Sequence, residues 1–134
     1  MELAGKHIFI VEDNSSNSTI MKIILEARGA KVYRDQWCIN TIARIKEVPH
    51  IDLVIMDLML PGGVTGYDIF DQLKADEGLQ PIPVLIVSAS DPSLEMNRAR
   101  RKGFQGYLSK PIDPYGFARS VTAVLAGHEV WADE

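Results

Sequence analysis

The sequence has almost no cysteine: Cys38 stands alone among 134 residues. One thiol excludes an internal disulfide framework and a multi-thiolate metal centre. Long apolar runs are also missing, and nothing approaches the ~20 residues that would span a bilayer. The first residues, Met1-Glu2-Leu3-Ala4-Gly5-Lys6, lack the apolar core of a secretion signal. Nor is there a basic excess: 14 Lys and Arg against 18 Asp and Glu give a net charge of −4. Binding to duplex DNA depends on neutralising phosphates, so direct nucleic-acid binding is disfavoured. The one dense basic run, Arg98 to Lys102, reads as a solvated helix face. These absences lead us to expect a cytoplasmic protein that touches neither membrane nor nucleic acid.

What is present is the composition of a globular domain, with 46% apolar and 24% charged residues. At ~100–200 residues per domain the chain makes one, and that size buries roughly two-thirds of its unfolded surface without a staple. We expect a single domain over 1–134, with its core over about 6–126 and a short C-terminal tail at 127–134. Short apolar runs alternate with amphipathic segments. His7 to Val11 reads as a buried strand, followed by the helix-capping cluster Asn14-Ser15-Ser16-Asn17. Ile20, Ile23, Ile24 and Ala27 recur at helical spacing up to Gly29. Ala30 to Tyr33 suggests a second strand, and Ile39, Ile42, Ala43 and Ile45 a helix closed by Pro49. Leu53 to Met56 is apolar throughout, as in a strand covered on both faces. Thr65 with Asp68 resembles a capping box that opens a helix to about Lys74. Pro83 to Val87, Leu94 to Lys102, Gly106 to Ser109 and Pro114 to about Ala126 continue as strand, helix, strand and helix. Five such units in a row indicate an α/β fold with a parallel sheet.

Position is the informative feature of the polar residues. Glu12, Asp13, Asp57, Ser88 and Lys110 all fall at or just after the carboxyl ends of predicted strands. In open α/β sheets ligands bind at that edge. Three carboxylates brought together repel, and one would be driven to protonate. A hard divalent cation such as Mg²⁺ removes that penalty, taking oxygen ligands octahedrally. One carboxylate can then attack a phosphoryl group while the cation and Lys110 neutralise developing charge.

The set Val11-Glu12-Asp13-Asn14, Met56-Asp57-Leu58-Met59-Leu60-Pro61, Val87-Ser88-Ala89 and Tyr107-Leu108-Ser109-Lys110-Pro111 resembles the receiver domain of bacterial response regulators. The similarity runs over nearly the whole chain. It implies a doubly wound, flavodoxin-like five-stranded parallel sheet in the order 2-1-3-4-5, with helices on both faces. It also implies that Asp57 accepts a phosphoryl group from a histidine on a kinase or a histidine phosphotransfer protein. Asp13 and Asp57 would bind Mg²⁺ directly, Glu12 through water, and the Met59 carbonyl would complete the protein ligands. Lys110 would pair with phosphoryl oxygens, and the Met59 and Ala89 N–H groups would donate to them. Ser88 would swing to the phosphoryl group and Tyr107 would act as the switch aromatic, turning from exposed to buried and so changing the face of the fourth helix, fifth strand and fifth helix. That face would meet a downstream protein or a second copy. The Lys110-Pro111 bond is expected to be cis.

The loop from Asp57 to Gly66 is one residue longer than the common pattern, with Gly62-Gly63-Val64-Thr65 intervening, and reads as a flexible turn. Met59 and Ser90 stand where similar proteins tune loss of the phosphoryl group. Neither orients water well, so a long-lived adduct is expected. Taken alone, Glu12-Asp13 would be a helix N-terminal anion pair, Asp57 and Ser88 turn residues, and Tyr107 packing. Cys38 reads as packing, and His7, His50 and His128 as non-ligands. Trp131 could dock on the domain or on a partner. Two other functions remain open at this point. A metal-dependent phosphohydrolase would want an acid at Met59, and a flavin-binding module would find Glu12-Asp13 repulsive. A receiver belonging to a hybrid histidine kinase or a longer regulator is a third possibility.

Overall fold

Leu53–Met56 (β3) is buried at every position, as a strand covered on both faces must be. Around it the computed structural model, which describes residues 1–35 and 38–132, places five more strands and five helices. In chain order these are β1 (His7–Val11), α1 (Ser15–Glu26), β2 (Lys31–Asp35) and α2 (Thr41–Glu47). After β3 come α3 (Gly66–Ala75), β4 (Val84–Ser88), α4 (Pro92–Lys102), β5 (Gly106–Ser109), α5 (Pro114–Leu125) and β6 (Val130–Trp131). The sheet order is β2-β1-β3-β4-β5-β6, with every pairing parallel.

Strand alternation divides the core in two. Phe9, Val11, Val54, Met56 and Ile86 face α2, α3 and α4, meeting Ile45, Phe70 and Met96. Ile8, Ile10, Leu53, Ile55, Leu85 and Val87 face α1 and α5, meeting Met21, Leu25, Phe117 and Val121. Each such side chain contributes about 1.5–3 kcal/mol by leaving water. Local chemistry agrees with the tertiary plan at the helix starts. Asn14, Asp91 and Asp113 accept from the backbone N–H groups of Asn17, Ser93 and Gly116. Thr65 and Asp68 form the expected reciprocal capping box.

Two expectations need correction. The sheet has six strands, not five, because the segment expected to be a loose tail adds β6 beside β5. Trp131 is only 4% exposed there, so it docks on its own domain. Two residues are too few for a strand period to show in sequence; the pairing is a tertiary choice. Asp133 and Glu134 lie outside the described residues. The second correction is that β2 runs on to Asp35, past the apolar Ala30 to Tyr33, because β1 pairs with it along its whole length. The glycine turn after Pro61 is a short 3₁₀ turn, with Gly62 and Gly63 both at φ +74°. Among the described residues, no helix is long and apolar enough to cross a membrane.

Gly66 opens α3 directly against β3's end. A Cβ there would lie 2.6 Å from the Asp57 carbonyl oxygen. Gly66→Ala should therefore lower stability by about 1–3 kcal/mol, the usual cost of forced overpacking. Urea unfolding measures it, and an unchanged midpoint would contradict this close approach.

Candidate functional site

Register delivers the acids to one place. Val11 pairs with Met56, so Glu12 and Asp57 leave the sheet side by side. Ser88 pairs with Ser109, so Lys110 leaves next to them. The Lys110 ammonium donates to Glu12 Oε2 at 2.7 Å and to Asp57 Oδ2 at 2.8 Å. Both carboxylates are buried, at 2% and 7% exposure, and a buried charge is tolerable only when paired. Burial pushes the Glu12 carboxyl above its ordinary range and the Asp57 charge adds to this, although the Lys110 bond pulls the other way. Burial alone would lower Lys110, but its hydrogen bonds to Asp57 and Glu12 hold it above its ordinary value.

The surrounding backbone fixes these groups. Asn14 N–H donates to Glu12 Oε1 at 3.2 Å, and Met59 N–H to Asp57 Oδ1 at 3.2 Å. Met59 itself bridges to Thr65 across the glycine turn, with its side chain largely exposed. The Lys110-Pro111 bond is cis, as expected. Ser88 is fully buried at the end of β4; its hydroxyl donates to Ser90 Oγ and accepts from Ser90 N–H, both at 3.2 Å. Ala89 follows it and is exposed. Tyr107 is already fully buried, not in the exposed position expected before phosphorylation, because its hydroxyl donates to the Ser90 carbonyl at 2.8 Å and its ring packs in the core. Burial is the main reason its phenol is pushed up.

Asp13 is exposed and completes the cluster. Glu12, Asp13 and Asp57 each offer an oxygen within 4.8 Å of the others. This all-oxygen donor set, free of thiol and imidazole, fits a hard cation such as Mg²⁺. Of the sequence-predicted site residues, Glu12, Asp13, Asp57, Met59, Ser88, Ala89 and Lys110 lie at one sheet edge, whereas Tyr107 lies within β5 and reaches the edge only through its hydroxyl. Two participants were not singled out from sequence in the roles they take here. Ser90 ties Ser88 to Tyr107. Asp35 is buried at the end of β2 and accepts from Cys38 N–H at 3.0 Å and the Thr41 hydroxyl at 2.8 Å. Its signal was available: like Asp57, it is a carboxylate at a strand's carboxyl end. The basic run is only partly free in solvent. Arg98 stacks on Tyr67, Arg100 on Trp131, and Lys102 pairs with Asp71.

Comparison with known proteins bears on the family and the fold. The chain is 34% identical over 120 residues to the polar-differentiation response regulator DivK of Brucella ovis, covering 90% of this chain and 96% of that protein. A signal receiver domain of a signal transduction histidine kinase from Syntrophus aciditrophicus superposes with a TM-score of 0.78 at 26% identity, covering 92% of each chain. The chemotaxis response regulator CheY4 of Vibrio cholerae shares the fold, with a TM-score of 0.79 at 19% identity over 89% of this chain and 98% of that one. The profile of the response regulator receiver domain matches residues 8–122. With that match over most of its length, the chain belongs to the response regulator receiver domain family.

Proposed function

We propose that the chain is a phosphoacceptor switch of a two-component or phosphorelay system, with residues 1–134 acting as one receiver unit. The observation that carries this reading is the Lys110 ammonium held between two buried carboxylates, with a third within 4.8 Å. The donor is a phosphohistidine of a histidine kinase or histidine phosphotransfer protein. An Asp57 carboxylate oxygen attacks phosphorus, the P–O bond forms as the P–N bond breaks, and the departing imidazole keeps the electron pair and takes a proton. The product is an acyl phosphate on Asp57.

Asp13, Asp57 and the Met59 carbonyl would hold Mg²⁺ directly and Glu12 through water, and the ion when bound would supply positive charge to the phosphoryl oxygens. Lys110 adds a second positive charge from the end of β5. The N–H groups of Met59 and Ala89 donate to the transferred group, and the exposed, small Ala89 leaves it room to enter. Adding roughly −1.5 to −2 charges draws the Ser88 hydroxyl inward. Tyr107 repacks with it, and the altered α4-β5-α5 face is presented to a downstream protein or a second copy. Cytoplasmic signalling without direct nucleic-acid or membrane contact fits this reading.

Incubation with acetyl phosphate and Mg²⁺ should give a base-labile adduct that maps to Asp57 by mass spectrometry. Asp57→Asn and omission of Mg²⁺ should abolish it, and Lys110→Ala should slow it by about 10²–10³-fold, as loss of one preorganised donor does. An adduct that survives in Asp57→Asn would contradict the assignment. The adduct should also last minutes or longer. The Met59 side chain is largely exposed and apolar, so it offers no group that orients water. Decay within seconds, followed by intact mass, would show that some other group does.

A further inference from the structure

β6 lies beyond residue 122, where the match to the receiver profile ends, and the phosphoacceptor reading gives it no task. We propose that residues 128–131 are a built-in cap that keeps the edge of β5 closed whether or not Asp57 carries a phosphoryl group, so that no second copy pairs there. The phosphoacceptor reading leaves a downstream protein and a second copy open as partners of the α4-β5-α5 face, and the cap narrows this to a downstream protein. The proposal rests on that reading for the phosphorylated state alone.

Without residues 128–131, β5 would be the last strand of the sheet. A bare edge strand offers unpaired N–H and C=O groups to any other chain. Here Val130 pairs with Gly106 and Trp131 with Tyr107, and Val130 N–H donates to the Gln105 carbonyl at 3.0 Å. Alternation along β6 sends its two side chains to opposite faces of the sheet. Trp131 joins the cluster that holds Met96 and Ala99 of α4, and Val130 packs on the cluster that holds Phe117 and Val121 of α5. The cap is therefore a wedge between the two helices that flank β5.

The contacts are those of a fixed element. Trp131 is 4% exposed, and a ring of that size is among the largest apolar surfaces one residue can bury. Its indole N–H donates to Glu129 at 2.9 Å, so burial leaves it no unpaired donor, and the Arg100 guanidinium lies 4.8 Å from the ring centroid. Glycine inside a strand weakens it unless another backbone comes close. At Gly106 one does: a Cβ there would lie 2.2 Å from the Val130 carbonyl oxygen. Nothing in the acidic site pulls on the cap. The hydrogen bonds from Ser88 through Ser90 end at the Tyr107 hydroxyl, which is already buried. Among the described residues no side-chain hydrogen bond or ring contact joins Tyr107 to Trp131. A rearrangement at residues 88–90 thus leaves β6 in place.

Light scattering during size exclusion, with hydrogen exchange read by mass spectrometry, tests the cap on the full chain with Mg²⁺ alone and with Mg²⁺ and acetyl phosphate. Intact mass reports the adduct separately. The parent should stay a monomer at rising concentration in both samples, with equal exchange over 128–131. A dimer that appears with the adduct, or faster exchange of 128–131 in its presence, overturns the cap and leaves the phosphoacceptor reading intact. Two full-length variants open the edge by different means: Trp131→Ala removes the wedge, and Val130→Pro removes the donor to Gln105. Each should exchange 128–131 roughly tenfold faster or more, as a segment with a lower opening free energy does, and should rise in mass toward a dimer with concentration. Should Trp131→Ala fail to fold, Val130→Pro, which leaves the ring in place, carries the comparison. A variant that exchanges faster yet stays a monomer overturns the claim that the cap prevents self-association, and unchanged exchange in both overturns the cap itself. If no adduct forms, the phosphoacceptor reading fails, and the cap is judged on the unmodified parent and the two variants.

Discussion

The Lys110 ammonium, lodged between the buried carboxylates of Glu12 and Asp57, is the interaction on which the site depends. Two acids at 2% and 7% exposure repel each other and shed little of their charge into water. Leaving such a charge without its partner costs about 3–5 kcal/mol. The cation cannot simply be a surface lysine that happens to reach. It is carried to the spot by a strand whose register is fixed by four paired positions with β4. The cis bond at Lys110-Pro111 follows at once, and α5 starts three residues later. The same register that buries Leu85 and Val87 in the core therefore aims the lysine.

This arrangement ties the site to the sheet beneath it. The charged cluster, the Ser88 to Ser90 segment and Tyr107 are joined end to end by hydrogen bonds, and among the described residues no buried side-chain polar atom lacks a partner.

Much of this was legible in the sequence, for a physical reason. Apolar runs such as Leu53 to Met56 are long enough to state that both faces are covered, and each is followed by a polar residue that the sheet must carry to its carboxyl edge. Glu12, Asp13, Asp57, Ser88 and Lys110 were readable on that basis. The capping residues Asn14, Thr65 and Asp68 were readable because their chemistry is local. What escaped depends on distant partners. β6 is two residues whose pairing depends on the missing Cβ of Gly106, a contact across 24 positions that no periodicity announces. The extension of β2 to Asp35 is set by β1, not by its own polar Arg34 and Asp35. The basic run gave a solvated face by composition, but Tyr67, Asp71 and Trp131 on other elements claim three of its side chains.

The claim beneath the whole account is that the three converging acids bind a divalent cation. Calorimetric titration with Mg²⁺ of the unmodified chain and of Asp13→Asn tests it most directly, since Asp13 is exposed and its loss leaves the core intact. The account predicts one ion bound per chain, with binding largely lost in Asp13→Asn while the unfolding midpoint without metal is unchanged. Absence of binding in the parent, or equal binding in the two proteins, would contradict it.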